Sequence, residues 1–160
     1  MTADTDAFLA EMVPKQVAAE RAIHHGDVQP RLAIWSRQDP VSLFGAAVPV
    51  RTGWADVSQT FRWVASQFSD STDYRFEVLA AGASGDLAYT IGLEHNTVSV
   101  NGKPTTYTLR ATHVYRREDG EWKIVHRHGD AVPEDRETLL STMGQGTAPP
   151  LPGGEAETAT

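Results

Sequence analysis

The stretch Thr106–Asp130, TYTLRATHVYRREDGEWKIVHRHGD, carries the strongest folding signal in the chain. Tyr107–Arg117 is rich in Thr, Val, Tyr and Leu, Glu121–His128 is centred on Trp-Lys-Ile-Val, and Glu118-Asp119-Gly120 between them suits a short loop ending on a left-handed glycine. The pattern predicts a long antiparallel hairpin. A loop of those three residues sets Arg117 opposite Glu121. Counting back then places Tyr115 by Lys123, His113 by Val125, Ala111 by Arg127 and Leu109 by Gly129 on one face. The other face holds Arg116 with Trp122, Val114 with Ile124, Thr112 with His126 and Arg110 with His128. Both arms exceed the usual strand of about 5–6 residues, so strong twist and curvature are expected, and a bulge in either arm would swap the faces beyond it.

Upstream, Asp6–Gly26 has helical spacing through Phe8, Leu9, Met12, Val13, Val17 and Ile23, with Asp4, Thr5 or Asp6 available as N-cap and Gly26 as stop. Pro14 breaks the pattern, so the helix either starts near Pro14 or splits into two segments. Asp27 can cap a second helix over Val28–Trp35. Ser36–Gly53 is turn chemistry around short extended pieces, Trp54–Phe68 returns to helical spacing, and Asp70-Ser71-Thr72-Asp73 reads as a polar turn. Tyr74–Ala81 alternates as a strand. Leu87–Val100 follows, with Tyr89, Ile91, Leu93 and His95 on one side and Ala88, Thr90, Gly92, Glu94 and Asn96 on the other. Asn101-Gly102 is the strongest hairpin turn present. Helices followed by a meander give an α+β fold, with about three N-terminal helices on one face of a bent, mainly antiparallel sheet. A helical fragment around Glu134–Met143 closes the domain, residues 1–143, and the tail 144–160, GQGTAPPLPGGEAETAT, has little to bury and is expected to be disordered.

At 160 residues the chain fits one domain with one core. A net charge of −7 and the lack of a basic stripe argue against nucleic acid or an anionic membrane as partner. Zero cysteines exclude disulfides, thiolate zinc sites and cysteine nucleophiles. MTADTDAFLAEM lacks the basic start and apolar run of a signal peptide, and no apolar run approaches ~20 residues, so a cytoplasmic, unanchored protein is expected.

Leu87-Ala88-Tyr89, together with the run from Thr112-His113-Val114-Tyr115-Arg116-Arg117-Glu118-Asp119-Gly120 through Glu121-Trp122-Lys123-Ile124-Val125-His126, resembles the SnoaL-like, ketosteroid-isomerase-like superfamily, also called nuclear transport factor two-like. Within it, the association (hub) domain of calcium/calmodulin-dependent protein kinase two is similar. The resemblance spans roughly Asp6 to Val132 and implies a cone-shaped fold with a pocket enclosed by sheet and helices. It leaves two functional readings open. One is a cofactor-free isomerase, cyclase, dehydratase or hydrolase acting by acid–base chemistry on a small apolar or mixed-polarity molecule. The other is a non-catalytic ligand-binding or assembly module. Members commonly pair through the outer sheet face, here expected to carry Arg110, Thr112, His126 and His128, so a homodimer or larger homo-oligomer is implied.

His113 shares its expected face with Leu109, Ala111, Tyr115 and Arg127, which suits an acid, a base, a ligand anchor or a buried structural histidine. It matches a pocket arginine of the hub domain. The two other pocket arginines of that family fall on Ile91 and Gly129, a departure that argues against recognition of small carboxylates. Parity with Ile91 puts Tyr89, Leu93 and His95 on the pocket side and turns Glu94 outward. Asp39, in the Asp39-Pro40 turn, is then the candidate carboxylate base, with a turn or cap role as its alternative. Trp35, Phe44, Trp54, Phe61 and Trp63 are expected around the cavity and its mouth, most of them as core. His126 and His128 could share a metal only with further ligands, which the sequence does not supply, so neither a metal nor a cofactor is expected.

Overall fold

Thr2 opens the first helix, its Oγ1 accepting from the amide of Thr5, so the cap lies ahead of the three residues offered by the sequence pattern. In the computed structural model, the residues described are 2–132 together with 137, 139, 141 and 142. Helix α1, Ala3–Ile23, runs unbroken through Pro14. Both Pro14 and Ala10, whose carbonyl loses its donor, are exposed, so water can take the place of the missing hydrogen bond. Gly26, at φ 86°, ends the turn that follows. Asp27 accepts from the amide of Gln29 at 3.0 Å and leads into the short helix α2, Gln29–Ile34.

Strands β1, Ser42–Gly45, and β2, Arg51–Thr52, come next, followed by helix α3, Trp54–Gln67. Four long strands complete the described chain: β3, Phe68–Ser84; β4, Leu87–Val100; β5, Lys103–Glu118; and β6, Glu121–Ala131. The sheet order is β2-β1-β6-β5-β4-β3, with β1 parallel to β6 and every other pair antiparallel. The fold is therefore α+β, as the element order implies. The polar stretch Asp70–Asp73 is a bulge inside β3 and not a turn before it, because the ladder slips between Ser69 and Asp73. Glu137, Leu139, Ser141 and Thr142 are helical, in line with the fragment expected there. The expected disordered tail, 144–160, lies outside the described residues. No helix among the described residues is long and apolar enough to cross a membrane.

The β5–β6 hairpin differs from the simple count in two places, which together move the register by two residues and so return the same faces beyond the second. Its loop is the pair Asp119-Gly120, both at positive φ, so Arg117 faces Trp122 and Tyr115 faces Ile124. This puts Trp122 and Ile124 on the inner face in place of Lys123 and Val125, as burial requires. A slip between Val114 and Tyr115 then shifts the register again, and His113 faces Arg127. Beyond the bulge, the inner set is His113, Ala111, Arg127 and Gly129 as expected, while His126 and His128 stay on the outer face with Val114 and Thr112.

The core has two parts. Phe8, Met12, Trp35, Val57, Phe61, Tyr115, Trp122 and Ile124 form the larger cluster, under α1 and α3. Phe68, Val98, Val100, Tyr107, Ala131 and Leu139 form the smaller one. Between them the concave face turns polar.

Candidate functional site

The inner face of β4 is set by its partner. His113 pairs with Thr90 and Leu109 with Glu94, and residues opposite one another share a face, so the even-numbered residues of β4 point inward with His113. Glu94 is 1% exposed, which corrects the expectation that it faces outward. Tyr89 and Ile91 are 42% and 41% exposed, and Leu93 and His95 share their outer side. Three residues expected to line the cavity, Tyr89, Leu93 and His95, are therefore on the wrong face for it. His95 Nε2 instead meets Glu77 Oε2 at 3.0 Å on the outer sheet. Gly92 permits the inward packing, since a Cβ there would lie 2.2 Å from the Glu77 carbonyl oxygen.

Glu94 is the hub of a buried network. Arg127 Nη1 donates to Oε1 at 2.9 Å and Nη2 to Oε2 at 2.5 Å, while Tyr74 Oη donates to Oε1 at 3.0 Å. Burial alone would raise the carboxyl pKa, but the charge and hydrogen bonds of Arg127 outweigh it and hold the group far below the ordinary carboxylate range. Burial likewise opposes the Arg127 cation, and Glu94 more than offsets it. Arg127 Nη1 also donates to His113 Nε2 at 2.9 Å, so the imidazole is neutral with its proton on Nδ1. Burial, and then Arg127, push His113 down to about 3. Its Nδ1 has no partner among the described residues.

In front of this network lies a cavity of about 80 Å³. At roughly 10–15 Å³ per water, it suits a molecule about the size of a single ring. The last turn of α1 contributes Glu20 and its C-cap His24 to the wall, α2 contributes Arg31, and the sheet contributes Glu94, Tyr107 and Arg127. Glu20 and Arg31 form a second buried ion pair, with the Arg31 guanidinium 5.0 Å from the centroid of the Phe61 ring. Burial pushes the His24 imidazole below its ordinary value, and the Tyr107 and Tyr74 hydroxyls above theirs.

Of the residues proposed from sequence, Arg127 and the ring of Phe61 are on this wall. His113 faces inward but stands behind Arg127, where it positions the guanidinium and does not reach the cavity. Asp39 is exposed and accepts from the Trp54 amide at 2.9 Å, so it caps α3 and is no base. Tyr115 is fully buried and donates to Gln16 within the core. Trp35 is core, Trp54 and Trp63 pack partly buried around it, and Phe44 is 38% exposed on the outer face against His126 and His128. The polar wall residues missed from sequence are Glu20, His24, Arg31, Glu94, Asn96 and Tyr107. Glu20 and His24 sit one turn apart on α1 and follow its inward stripe of Phe8, Met12 and Gln16, a spacing that could have revealed them.

Solved structures share this architecture. A protein from Pseudomonas putida KT2440 described as NTF2-like and of unknown function is 20% identical, with 80% of this chain and 89% of that one covered at a TM-score of 0.66. One from Thiobacillus denitrificans assigned as a calcium/calmodulin-dependent protein kinase type II association domain is 22% identical, covering 74% and 92% at 0.63. One from Streptomyces avermitilis assigned as a dehydratase of the NTF2-like family is 19% identical, covering 79% and 98% at 0.62. No curated protein matches the chain. The model of the SnoaL-like domain matches residues 17–133, from the middle of α1 to just past β6, and the chain belongs to that family.

Proposed function

We propose that the cavity binds a small, uncharged organic molecule with an apolar body and a hydrogen-bonding group. The observation that carries this is the pairing of charge on the wall: Glu20 with Arg31 and Glu94 with Arg127, two anions and two cations already joined. An ionic ligand would have to be stripped of water, with its counter-charge taken from an existing buried pair. A neutral molecule meets no such cost. Turnover by cofactor-free acid–base chemistry of the isomerase, cyclase, dehydratase or hydrolase kind is compatible with such a site.

Three single-ring compounds that differ in charge at neutral pH test the reading. Phenol, benzoate and benzylamine are added to the protein, and both the melting temperature and the amide spectrum of the cavity residues are followed. Phenol should stabilise the protein and shift residues around Glu94 and Arg127. Stronger binding of benzoate, or no binding of phenol, overturns the proposal.

The outer sheet face favours a second, independent property. Tyr89, Val114, His126 and Ser42 form one row across β4, β5, β6 and β1, and Ile91, Thr112, His128 and Phe44 form the next. Tyr89, Ile91 and Phe44 leave large apolar groups exposed there. We propose that a second copy of the chain covers this face, giving a homodimer. Light scattering at micromolar concentration should return the dimer mass, and Ile91→Lys should reduce it to that of the monomer. A monomer mass for the parent protein defeats the idea.

A further inference from the structure

We infer that Tyr107 and Asn96 read the ligand together, the tyrosine hydroxyl donating to a carbonyl oxygen and the asparagine side-chain oxygen accepting from the N–H beside it, so that the cavity selects neutral carboxamides. The inference rests on the reading of the cavity as a small-molecule site and adds to it two specificity-determining residues and a ligand class.

Asn96 and Tyr107 are partners in the β4–β5 ladder, so their side chains leave the same inner face with Cβ atoms about 4.5–5.5 Å apart. Both line the cavity, and each is 3% exposed. Asn96 Nδ2 donates to the Glu94 main-chain carbonyl at 3.0 Å, which fixes how the amide is turned and presents Oδ1 as an acceptor. Among the described residues, neither Oδ1 nor the Tyr107 hydroxyl has a hydrogen-bond partner. The unpartnered polar atoms that are sealed inside the protein belong to Gln16, His24, Thr90 and His113, and these two are not among them. They open on the cavity instead.

Two tyrosines approach the buried network, and they differ in just this respect. Tyr74 donates to Glu94 Oε1 at 3.0 Å, whereas Tyr107, its ring packed among Phe68, Val98, Val100 and Leu139, keeps its hydroxyl for the cavity. Burial, and then Glu94 and Glu20, hold the Tyr107 proton in place well above the ordinary range, so the group stays a donor. The charged wall groups already hold one another, Glu20 with Arg31 and Glu94 with Arg127. A ligand therefore gains most from the two groups that have no other partner. In a cavity the size of one ring, the ligand's donor and acceptor must sit close together. A carboxamide carries C=O and N–H on a single carbon and is uncharged at neutral pH. A carboxylate would offer Asn96 Oδ1 no donor and would set an anion against it.

Benzamide, acetophenone and toluene share a ring and shed first the N–H and then the carbonyl. Affinities are measured by ligand-observed NMR on the parent chain, Tyr107→Phe and Asn96→Leu. The parent should bind benzamide best and toluene least. Tyr107→Phe, which removes the hydroxyl and keeps the ring, should weaken benzamide and acetophenone about tenfold each, the scale of one hydrogen bond, and leave toluene unchanged. Asn96→Leu, close in size, should weaken benzamide by a similar factor and spare acetophenone and toluene, which also shows that the cavity is intact.

If Tyr107→Phe keeps the parent's affinity for the two carbonyl compounds, if Asn96→Leu keeps that for benzamide, or if either variant weakens all three alike, the pair is wall and not contact. The inference then fails while the cavity reading stands. It fails alone in the same way if the parent binds phenol but not benzamide. If the parent binds neither phenol nor any of the three, the cavity reading itself fails and takes this one with it.

Discussion

Two bidentate arginine–carboxylate forks lie on opposite faces of the same sheet and differ most in their surroundings. Arg127 grips Glu94 at 2.9 and 2.5 Å on the concave side, and Arg110 grips Asp130 at 2.7 and 2.7 Å on the convex side. The side chains of the first pair are 7% and 1% exposed, those of the second 57% and 38%. Two bidentate forks, the inner through Nη1 and Nη2 and the outer through Nε and Nη2, thus carry unequal consequences. Inside, each charge is tolerated only because the other is present; outside, water and salt can replace either partner. The inner pair shapes a binding surface, and the outer one decorates a sheet.

The largest effect expected from this contrast is on folding stability. Arg127→Met leaves the Glu94 carboxylate buried without its cation and should cost about 3–5 kcal/mol in urea denaturation. Adding Glu94→Gln to that variant should restore part of the loss, since the uncompensated charge is gone and Tyr74 still has an oxygen to bond. If the double variant is no more stable than Arg127→Met alone, the charge is not what makes the inner fork matter.

Acid should expose the same asymmetry. The folded-state pKa of Glu94 lies below its unfolded value, so the stability it contributes is present above the ordinary carboxylate range and is lost as pH falls toward the folded value. His113 acts in the same direction by the opposite route. The unfolded imidazole takes up a proton near 6.5, whereas the folded one stays neutral down to about 3, so stability declines as pH drops between those values. His113→Gln keeps an acceptor for Arg127 but does not titrate. Its denaturation midpoint should depend less steeply on pH between 6 and 4, roughly by up to one proton's worth of slope. It should also cost less at neutral pH than His113→Ala, which leaves a cavity and an unmet guanidinium. Parallel pH profiles for the parent and His113→Gln would show that His113 already titrates normally.

How far the site could be read from the sequence turns on one hairpin. The element order and the α+β class follow from helical spacing, strand alternation and two turn dipeptides. The inner face of β4 was also within reach. A two-residue turn at Asn101-Gly102 pairs Val100 with Lys103, and counting back from there sets Thr90 opposite His113 and Glu94 opposite Leu109. Alignment to the hub domain through Ile91 pointed to the other face, and turn chemistry was the better guide. Gly92 was a second local sign, because a glycine inside a long strand marks a close approach. The bulge at Val114/Tyr115 and the parallel docking of β1 on β6 had no local sign, since both arise from closing a curved sheet around its core. Asp39 shows the limit of reading single residues, because a carboxylate in a turn is suited to capping a distant helix as well as to chemistry.

The smallest effect belongs to the outer fork, and it sharpens the contrast by being absent. Arg110→Ala removes a guanidinium whose side chain is more than half exposed, from a pair that water can replace on either side. The melting temperature of dilute protein should therefore match that of the parent, at low and at high salt alike. Arg110 lies opposite Leu93 and Asp130, one row beyond Ile91, Thr112, His128 and Phe44. If a second copy covers those apolar rows, Arg110 stands at the rim of the contact, where a charge affects the rate of encounter more than the strength of the complex. Melting curves at two protein concentrations separate the cases. Equal shifts with concentration for the parent and Arg110→Ala place the fork outside the buried part of the interface. A loss that appears only at high concentration would put it inside, and the outer fork would then obey the same rule as the inner one.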